Sequence, residues 1–485
     1  MAYVTHIRTR HSTCKFGGDA GKPTTAAQLP GPGPANCPEY PRMLTAQTIC
    51  WITMRKRTGT GSGYRWVFAQ MAECRYEYGV LSALRSGQEA SQPHAPEMPE
   101  APAAKSKWRD SKRYVWLLGP ITPGMVGLSW LLVWLTGFDG FWWTGSLLTF
   151  GLVPVLDHII GPEAESAPGD LRSLEDDPFY RLATHLFLPA QYLSLIFACW
   201  LWAGGGWVTM SITDKLGLMA SVGTVGGIAI NAAHELGHKR GMSERRLSKI
   251  ALAQTCYGHF FVEHNRGHHV RVATPEDPAS SRLGESLYAF ICRSVIGSLR
   301  SAWQLESDRL ARAHKSKWSP RNEVLNAWLL SVILFIILAV WFGVVVLPWL
   351  FGQALIGIFL LETVNYLEHY GLRRQKLPNG RYERVRAGHS WNSNTVIANV
   401  FLFHLQRHSD HHANPMRRYQ ALCHADEAPQ LPGGYGTMLL LAICPPLWRR
   451  VMDPRVLAHY DGDISRTALQ PRYEARLRRR YPAAR

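Results

Sequence analysis

The sequence has few cysteines for its length, and none of them are spaced to bind a metal. Nine cysteines are scattered over 485 residues, and no two of them form a C-x-x-C pair. Structural zinc sites and iron–sulfur clusters depend on closely spaced cysteine thiolates. We therefore expect reduced thiols, no zinc ribbon and no fused iron–sulfur module.

Acidic residues are also scarce. The chain has 36 Asp and Glu against 53 Lys and Arg, which gives a formal net charge of +17. Such an excess can indicate nucleic acid, an anionic lipid surface or an acidic protein partner. No zinc-finger, RNP or basic-zipper pattern accompanies the charge, and much of it flanks apolar segments, where bases face anionic lipid. We therefore expect membrane lipid, and no nucleic acid, as a partner.

The first part of the chain lacks apolar periodicity. Residues 1–105 are rich in Gly, Pro, Ala and Ser, as in GGDAGKPTTAAQLPGPGP, which predicts a disordered extension or an artefact of start-codon choice, since Met98 stands just upstream of KWRDSKRYVW. This segment also lacks the apolar core of a signal peptide, so we expect the first membrane helix to act as the targeting signal. The sequence predicts a membrane-embedded domain over 106–460 and a basic C-terminal tail over 461–485.

Long apolar segments are abundant after this extension. Four of them approach the ~20 residues that cross a bilayer, and a fifth is too long for one crossing and predicts a hairpin broken near Gly343 or Pro348. The segments cover residues 114–136, 141–160, 186–202, 216–233 and 327–361. The sequence therefore predicts an all-α integral membrane protein with a bundle of six transmembrane helices, in which Pro120, Pro123 and Pro154 produce kinks.

Basic residues predict how the bundle is oriented. Five of them, Lys105, Lys107, Arg109, Lys112 and Arg113, precede the first span, whereas the loop between the first two spans has none. By the positive-inside rule both termini and all histidine-rich segments are expected on the cytoplasmic side of the inner membrane.

Nine histidines lie in clusters beside these spans. They are His234, His238, His264, His268, His269, His369, His408, His411 and His412. Imidazole suits iron, zinc, copper and nickel, and nine of them are too many for one ion. The pattern predicts two metal centres with four or five nitrogens each, with clustered histidines in i, i+4 register on helices.

Two alternatives to a redox centre remain at this point. HELGH matches the HExxH motif of zinc metalloproteases, with Glu235 as general base, but that interpretation explains two histidines and leaves seven. A metal transporter would place its histidines at mid-membrane, whereas these cluster at one rim.

Four motifs, in the order HELGHK, EHNRGHH, NYLEHYG and LQRHSDHHA, resemble those of the membrane-bound alkane 1-monooxygenases (AlkB type) within the fatty-acid desaturase and hydroxylase superfamily. ATPEDPASSRLGESLY and SWNSN narrow the resemblance to the alkane hydroxylases. The resemblance implies terminal hydroxylation of n-alkanes with O2, two iron ions (Fe2+/Fe3+) held by the nine histidines, and electrons from rubredoxin supplied by rubredoxin reductase. A related acyl desaturase or fatty-acid hydroxylase would share the histidine boxes.

Further site residues are expected around this centre. Glu235, Glu263 and Asp410 alternate with the histidines and are candidates for bonding imidazole N–H groups or delivering protons. Asp157 is a carboxylate inside a span and therefore a functional candidate. The resemblance also places a substrate tunnel beside Thr149 and Gly151, whose small size predicts that long alkanes enter. Further candidates for orienting the ligands are His259, His389 and His404.

Overall fold

In the part of the chain that the structure describes, six helices are long and apolar enough to cross a membrane, which confirms the predicted bundle. The computed structural model describes residue 110, residues 112–163 and residues 171–482, so the predicted extension over 1–105 lies outside the described residues. The spans are Val115–Thr136, Asp139–Ile160, Pro178–Trp202, Ile212–Gly237, Glu323–Phe342 and Val346–His369.

The third and fourth spans begin earlier than the apolar pattern predicts, because capping residues start them before the apolar run. Asp177 caps the third span by accepting the backbone N–H of Phe179 (2.9 Å). Ser211 and Asp214 form a capping box at the start of the fourth. The polar first turns of both helices are therefore absent from a prediction based on hydropathy.

The hairpin between the fifth and sixth spans turns at Gly343. This residue has φ 86°, a conformation that glycine adopts without a Cβ clash. Pro348 instead lies in the first turn of the sixth span, where a missing N–H costs little.

Prolines change the helical geometry of the first two spans. Pro120 and Pro123 lie in the 3-10 segment Val115–Gly124, which precedes the α-helix Met125–Thr136. Pro154 follows the π-helical turn Leu148–Leu152, which leaves room for its ring against the preceding turn. The predicted distortions are therefore changes of helix type.

The fourth span forms the centre of the bundle, because it is buried over most of its length whereas the second is largely exposed. Glycines let the sixth span approach it closely. A Cβ at Gly223 would lie 2.6 Å from Ile356, and one at Gly357 would lie 3.3 Å from the backbone of Gly226. Both helices carry their histidines at their C-terminal ends, so these histidines meet at one end of the bundle.

The remaining described structure consists of further helices joined by loops. No β-strand occurs among residues 112–163 and 171–482, only isolated bridges such as Leu283 with Leu469. Residues 461–482, the described part of the predicted basic tail, pack onto the body through buried Ile464 and Leu477. The other helices are Leu171–Asp176, Met242–Ala253, Phe260–Glu263, His264–His268 (π), His269–Arg271, Leu287–Arg312, Ala387–His389 (3-10), Val396–Phe401, His408–Ala413, Tyr419–Ala421 (3-10), Tyr435–Ile443, Pro445–His459, Ile464–Arg466 (3-10), Pro471–Tyr473 (3-10) and Glu474–Arg480.

Candidate metal centre

All nine predicted histidines meet at one end of the bundle and divide into two neighbouring groups. Within each group the candidate ligand atoms lie within 4.8 Å of one another. The rings of His269 and His412, one from each group, have centroids 4.4 Å apart. The five-histidine group contains His234, His238, His264, His269 and His411, and the four-histidine group contains His268, His369, His408 and His412.

The second histidine box, EHNRGHH, departs from the predicted i, i+4 register. Its residues His264–His268 form a π-helical turn, in which residues five apart share a face. His264 therefore joins His269 in the five-histidine group, while His268 points to the other group. A π turn of this kind inserts one extra residue, and one box can then serve two centres.

Gly267 allows this turn to form. A Cβ at this position would lie 2.4 Å from Oε1 of Glu263 and 2.5 Å from Nη2 of Arg271. These two residues form an ion pair of 2.7 Å across the turn. Glu263, a candidate partner of imidazole from its place in the sequence, is paired with Arg271 in the structure.

The third histidine box, LQRHSDHHA, follows the expected helical spacing. His408 and His412 are separated by one turn of the helix His408–Ala413 and share the four-histidine group. His411, on the neighbouring face, belongs to the five-histidine group together with His234 and His238 from the fourth span. Each of the second and third boxes therefore supplies both groups.

Ring nitrogens converge at distances that suit shared metal ions. His411 Nε2 lies 2.9 Å from His234 Nε2 and 3.1 Å from His269 Nε2. In the other group, His408 Nε2 lies 2.9 Å from His412 Nε2 and 3.2 Å from His369 Nε2. Two nitrogens each about 2.1 Å from one ion are about 3.0–3.4 Å apart, so both groups have close to the spacing of a coordination shell.

Two ligand candidates are oriented through their other ring nitrogen. His268 Nδ1 donates to Asp277 Oδ2 (2.8 Å), and His369 Nδ1 donates to the backbone carbonyl of His389 (3.2 Å). A proton held on Nδ1 leaves the lone pair of Nε2 free for a metal. His268 Nε2 is buried without a hydrogen-bond partner, as this arrangement requires.

Asp277 is the site residue that the sequence analysis missed. Burial alone would raise its pKa, but His268 and the Ser280 hydroxyl outweigh burial and hold the pKa of Asp277 below its usual value. It lies in ATPEDPASSRLGESLY, a stretch used above only for the resemblance. The available signal for Asp277 was an acidic residue among small and apolar residues, shortly after the histidine box EHNRGHH.

The candidate orienting histidines differ in position. His389 supplies the carbonyl that holds His369 and is itself 3.3 Å from Glu383. His404 donates to the Tyr419 carbonyl (2.9 Å), and His259 stacks on Tyr257. Of the three, His389 is the one in contact with a ligand candidate.

Burial keeps the imidazoles outside the spans in their ligand form. It lowers the pKa of His238, His264, His269, His408, His411 and His412 well below the ordinary value, and the neighbouring imidazoles lower it further. Neutral imidazole is the form that binds a metal. The centre is therefore poised to accept cations at neutral pH.

Two carboxylates expected among the histidines have cationic partners. Glu235 forms a buried ion pair of 2.9 Å with Lys239. Asp410 pairs with Arg417 (2.6 Å) and accepts the backbone N–H of Cys423 (2.8 Å). Their catalytic roles stay predictions. The zinc-protease interpretation loses support, because it needs Glu235 as a free general base and leaves seven of the nine histidines unexplained.

Asp157 holds a loop against the second span. Its Oδ1 accepts the backbone N–H groups of Ile397 (3.0 Å) and Ala398 (3.1 Å) at the start of the helix Val396–Phe401. This carboxylate therefore positions a segment whose side chains line an apolar cavity. A functional role for Asp157 beyond this positioning stays a prediction.

The apolar cavity lies between the first, second, fourth and sixth spans. Thr149 lines it, as predicted for a tunnel residue, whereas Gly151 is exposed on the outer surface with open space at its Cβ position. Positions two residues apart on a helix face nearly opposite directions, so Gly151 does not line this cavity, and its assignment to a substrate tunnel stays a prediction. The lining residues are Thr122, Met125, Thr149, Phe150, Val153, Thr224, Gly227, Ile228, Asn231, Leu360, Leu361, Val364, Ala398, Phe401, Leu402, Leu405, Tyr435, Gly436 and Leu439.

One end of the cavity approaches both histidine groups. Asn231 lies one helical turn before His234 on the fourth span. Tyr435 donates a hydrogen bond to Glu368 (2.9 Å), whose other oxygen is 3.3 Å from His408 Nε2. A guest molecule in the cavity would thus have one end close to the centre.

Comparison with known proteins agrees with this architecture. The fatty acid desaturase family model matches residues 215–442. An alkane 1-monooxygenase from Acinetobacter baylyi is 44% identical over 377 residues, which cover 76% of this chain and 90% of that relative. Alkane 1-monooxygenase 1 from Alcanivorax borkumensis is 43% identical (77% and 92% covered), and the enzyme from Ectopseudomonas oleovorans is 44% identical (74% and 88% covered).

The resemblance inferred from the motifs is therefore confirmed. At this identity and coverage, the chain belongs to the alkane 1-monooxygenase family.

Proposed function

We propose that this protein is an oxidoreductase that hydroxylates the terminal carbon of n-alkanes with O2, at two iron ions held by its nine clustered histidines. The observation that carries the proposal is an apolar cavity whose one end approaches two converging imidazole groups. Membership of the alkane 1-monooxygenase family supports the same reaction class.

The donor sets suit iron in two centres. The nine imidazole nitrogens of the two groups together exceed the four ligands of one structural zinc site. Imidazole is also a common ligand of iron. His268 and His369 are already fixed in the tautomer that presents Nε2. Bound iron would supply the activation of O2 and the oxidation of the C–H bond.

The protein's own part in the reaction is to bind and orient an alkane, which offers no polar handle. Binding depends on burying CH2 groups, worth about 0.8 kcal/mol each relative to water, in a cavity with few polar side chains. A guest that enters lengthwise presents a methyl end to the histidine groups, since the cavity approaches them at one end. Selectivity for the terminal carbon then follows from geometry.

The buried surroundings also exclude water. Among the nine histidines, His268, His369 and His408 are at most 1% exposed. A dry site protects reactive species from side reactions and strengthens the electrostatic interactions within it.

Electrons would arrive from an acidic rubredoxin, reduced by its reductase, on the cytoplasmic side. A cleft on the histidine-bearing end contains His238 and His269 and is bordered by the bases Arg240, Arg245 and Arg266. Two other bases are engaged within the protein: Lys239 is buried against Glu235, and Arg374 is buried against the Glu383 carbonyl. The exposed Arg240 is therefore the better docking candidate. From the positive-inside rule we expect this end on the cytoplasmic side, and we propose the inner membrane as the location of the protein.

The test is turnover by the purified protein in lipid nanodiscs with rubredoxin, rubredoxin reductase, NADH and O2. Octane and hexadecane are supplied, 1-alkanols are quantified by gas chromatography, and iron per chain is measured. We expect 1-alkanols with about two irons per chain. His411→Ala should abolish turnover and lower bound iron, whereas His185→Ala, a half-buried histidine bonded to the Arg181 carbonyl, should change neither.

Product identity separates this function from its relatives. Turnover of acyl thioesters or free fatty acids with none of alkanes would assign the chain to a desaturase or fatty-acid hydroxylase activity. Iron binding without O2 consumption on any of these substrates would refute the oxidoreductase proposal.

A further inference from the structure

The two histidine groups are unequal, and a carboxylate lies beside the smaller one. Glu368 immediately precedes His369 on the sixth span and is 1% exposed. Its Oε2 lies 3.3 Å from His408 Nε2. The same nitrogen is 3.2 Å from His369 Nε2 and 2.9 Å from His412 Nε2, so Glu368 reaches the point where the ring nitrogens converge.

The distance suits a second ligand of the same ion. A nitrogen and an oxygen that both bind one cation at about 2.1 Å lie about 3.0–3.4 Å apart. His408 Nε2 already has two imidazole neighbours on the side that would face the metal. A carboxylate oxygen at 3.3 Å from this nitrogen therefore lies at ligand spacing.

An ionised Glu368 would also need a nearby cation. Its Oε1 accepts the hydroxyl of Tyr435 (2.9 Å), and its Oε2 faces an imidazole. Both of these partners are neutral groups, and a buried carboxylate is costly unless a positive charge compensates it. A metal in the four-histidine group would provide that charge.

Glu362, six residues earlier on the same helix, is an internal comparison. It is also 1% exposed and accepts a tyrosine hydroxyl, from Tyr257 at 2.6 Å. It also contacts polar side chains on its own helix and on a neighbouring one. It interacts with His268 only electrostatically and forms no hydrogen bond or ion pair with a ring nitrogen of either histidine group. The two residues thus differ chiefly in what their second oxygen faces.

We propose that Glu368 is a fifth, oxygen ligand of the metal in the four-histidine group. The inference rests on the proposed metal centre, and it makes the two metals chemically different: one has five neutral nitrogens, and the other has four nitrogens and an anionic oxygen. The anionic ligand stabilises the higher oxidation state, so the metal beside Glu368 is the harder one to reduce.

The test compares Glu368→Gln with Glu362→Gln in the full chain, loaded with 57Fe and held in nanodiscs. Glutamine keeps the size and the oxygen that accepts the tyrosine hydroxyl but removes the charge. Iron retained against a competing chelator and Mössbauer spectra are measured. We expect Glu368→Gln to weaken the binding of one of two irons by more than about tenfold and to change one of two iron signals, and Glu362→Gln to keep both irons with an unchanged spectrum.

A thermal-unfolding measurement excludes a simple folding defect. With all metal removed, Glu368→Gln should unfold at or above the temperature of the unaltered protein, because glutamine keeps the size of the side chain and the oxygen that accepts the Tyr435 hydroxyl. The increase in unfolding temperature on adding Fe2+ should be smaller than in the unaltered protein. Two retained irons with an unchanged Mössbauer spectrum in Glu368→Gln, or an equal loss in both variants, would overturn the proposal. Alkane turnover is scored separately, so that an inactive protein with two normal irons counts against the proposed function and not against this ligand.

Discussion

Asp277→Asn is expected to loosen one metal and leave the other in place. Asp277 Oδ2 accepts bonds from His268 Nδ1 (2.8 Å) and the Ser280 hydroxyl (2.6 Å), while Oδ1 accepts from the Ala279 N–H (3.1 Å). Every one of these contacts needs an acceptor. Asparagine has one acceptor oxygen, so its amide nitrogen must face either the ring of His268 or the N–H of Ala279.

The magnitude follows from the role of such partners at metal sites. Loss of a residue that orients a ligating histidine typically lowers metal affinity by about 10–100-fold, or about 1.4–2.8 kcal/mol. His268 belongs to the four-histidine group, and the five-histidine group shares neither this ring nor its hydrogen bond. The loss should therefore fall on one of two irons.

The assay is iron release to a chelator, followed over time with the protein in nanodiscs. We expect two phases of similar amplitude, of which one is accelerated by Asp277→Asn. Glu276→Gln is the matched control, because the neighbouring Glu276 is exposed and bonds the Tyr382 hydroxyl (3.0 Å) away from the histidines. Equal acceleration of both phases, or none, would refute the assignment of His268 to a separate group.

Three other changes test the cavity, the buried charge and the basic cleft. Thr149→Trp should suppress turnover of hexadecane and spare that of octane, because the added ring fills the cavity that Thr149 lines. Gly151→Trp on the outer surface should change turnover of neither substrate, and equal losses on both substrates with Thr149→Trp would contradict the tunnel. Burial raises the pKa of Asp453 from 3.8 to about 6, so its contribution to stability is present below pH 3.8 and is lost as the pH rises through 6. The unfolding free energy of the unaltered protein should therefore fall by up to about 3 kcal/mol over that range, and Asp453→Asn should remove this fall. The same pH profile in both proteins would argue against a neutral Asp453 in the fold. Arg240→Glu should raise the KM for rubredoxin and weaken its dependence on ionic strength, while Arg472→Glu near the C-terminus should not; a KM insensitive to salt in the unaltered protein would exclude electrostatic docking.

Local patterns in the sequence carry most of the fold. Apolar runs of bilayer length predict six spans because burial in lipid depends on composition over about 20 residues, whatever the rest of the chain does. The nine histidines are conspicuous for a similar reason, since their spacing beside the spans is local. Their division into five and four was within the predicted range.

Contacts between distant segments could not be predicted in the same way. His268 and His269 belong to different histidine groups because of a π turn, which forms because Gly267 fits between Glu263 and Arg271. Glu235 and Asp410 look like partners of imidazole in the sequence, but each has a basic residue within seven positions that neutralises it, Lys239 and Arg417. Spacing alone does not tell which of these bonds forms.

The close packing of the fourth and sixth spans has a consequence far from where it occurs. Gly227 precedes His234 by seven residues, about 10 Å along the helix, and Gly357 precedes His369 by twelve, about 18 Å. The two helices pack closely at these glycines, and their C-terminal ends carry ligands of the two metals. A side chain added at either glycine would push these ends apart. Substitutions within the spans, which touch neither metal nor alkane, would therefore change the separation of the two metals.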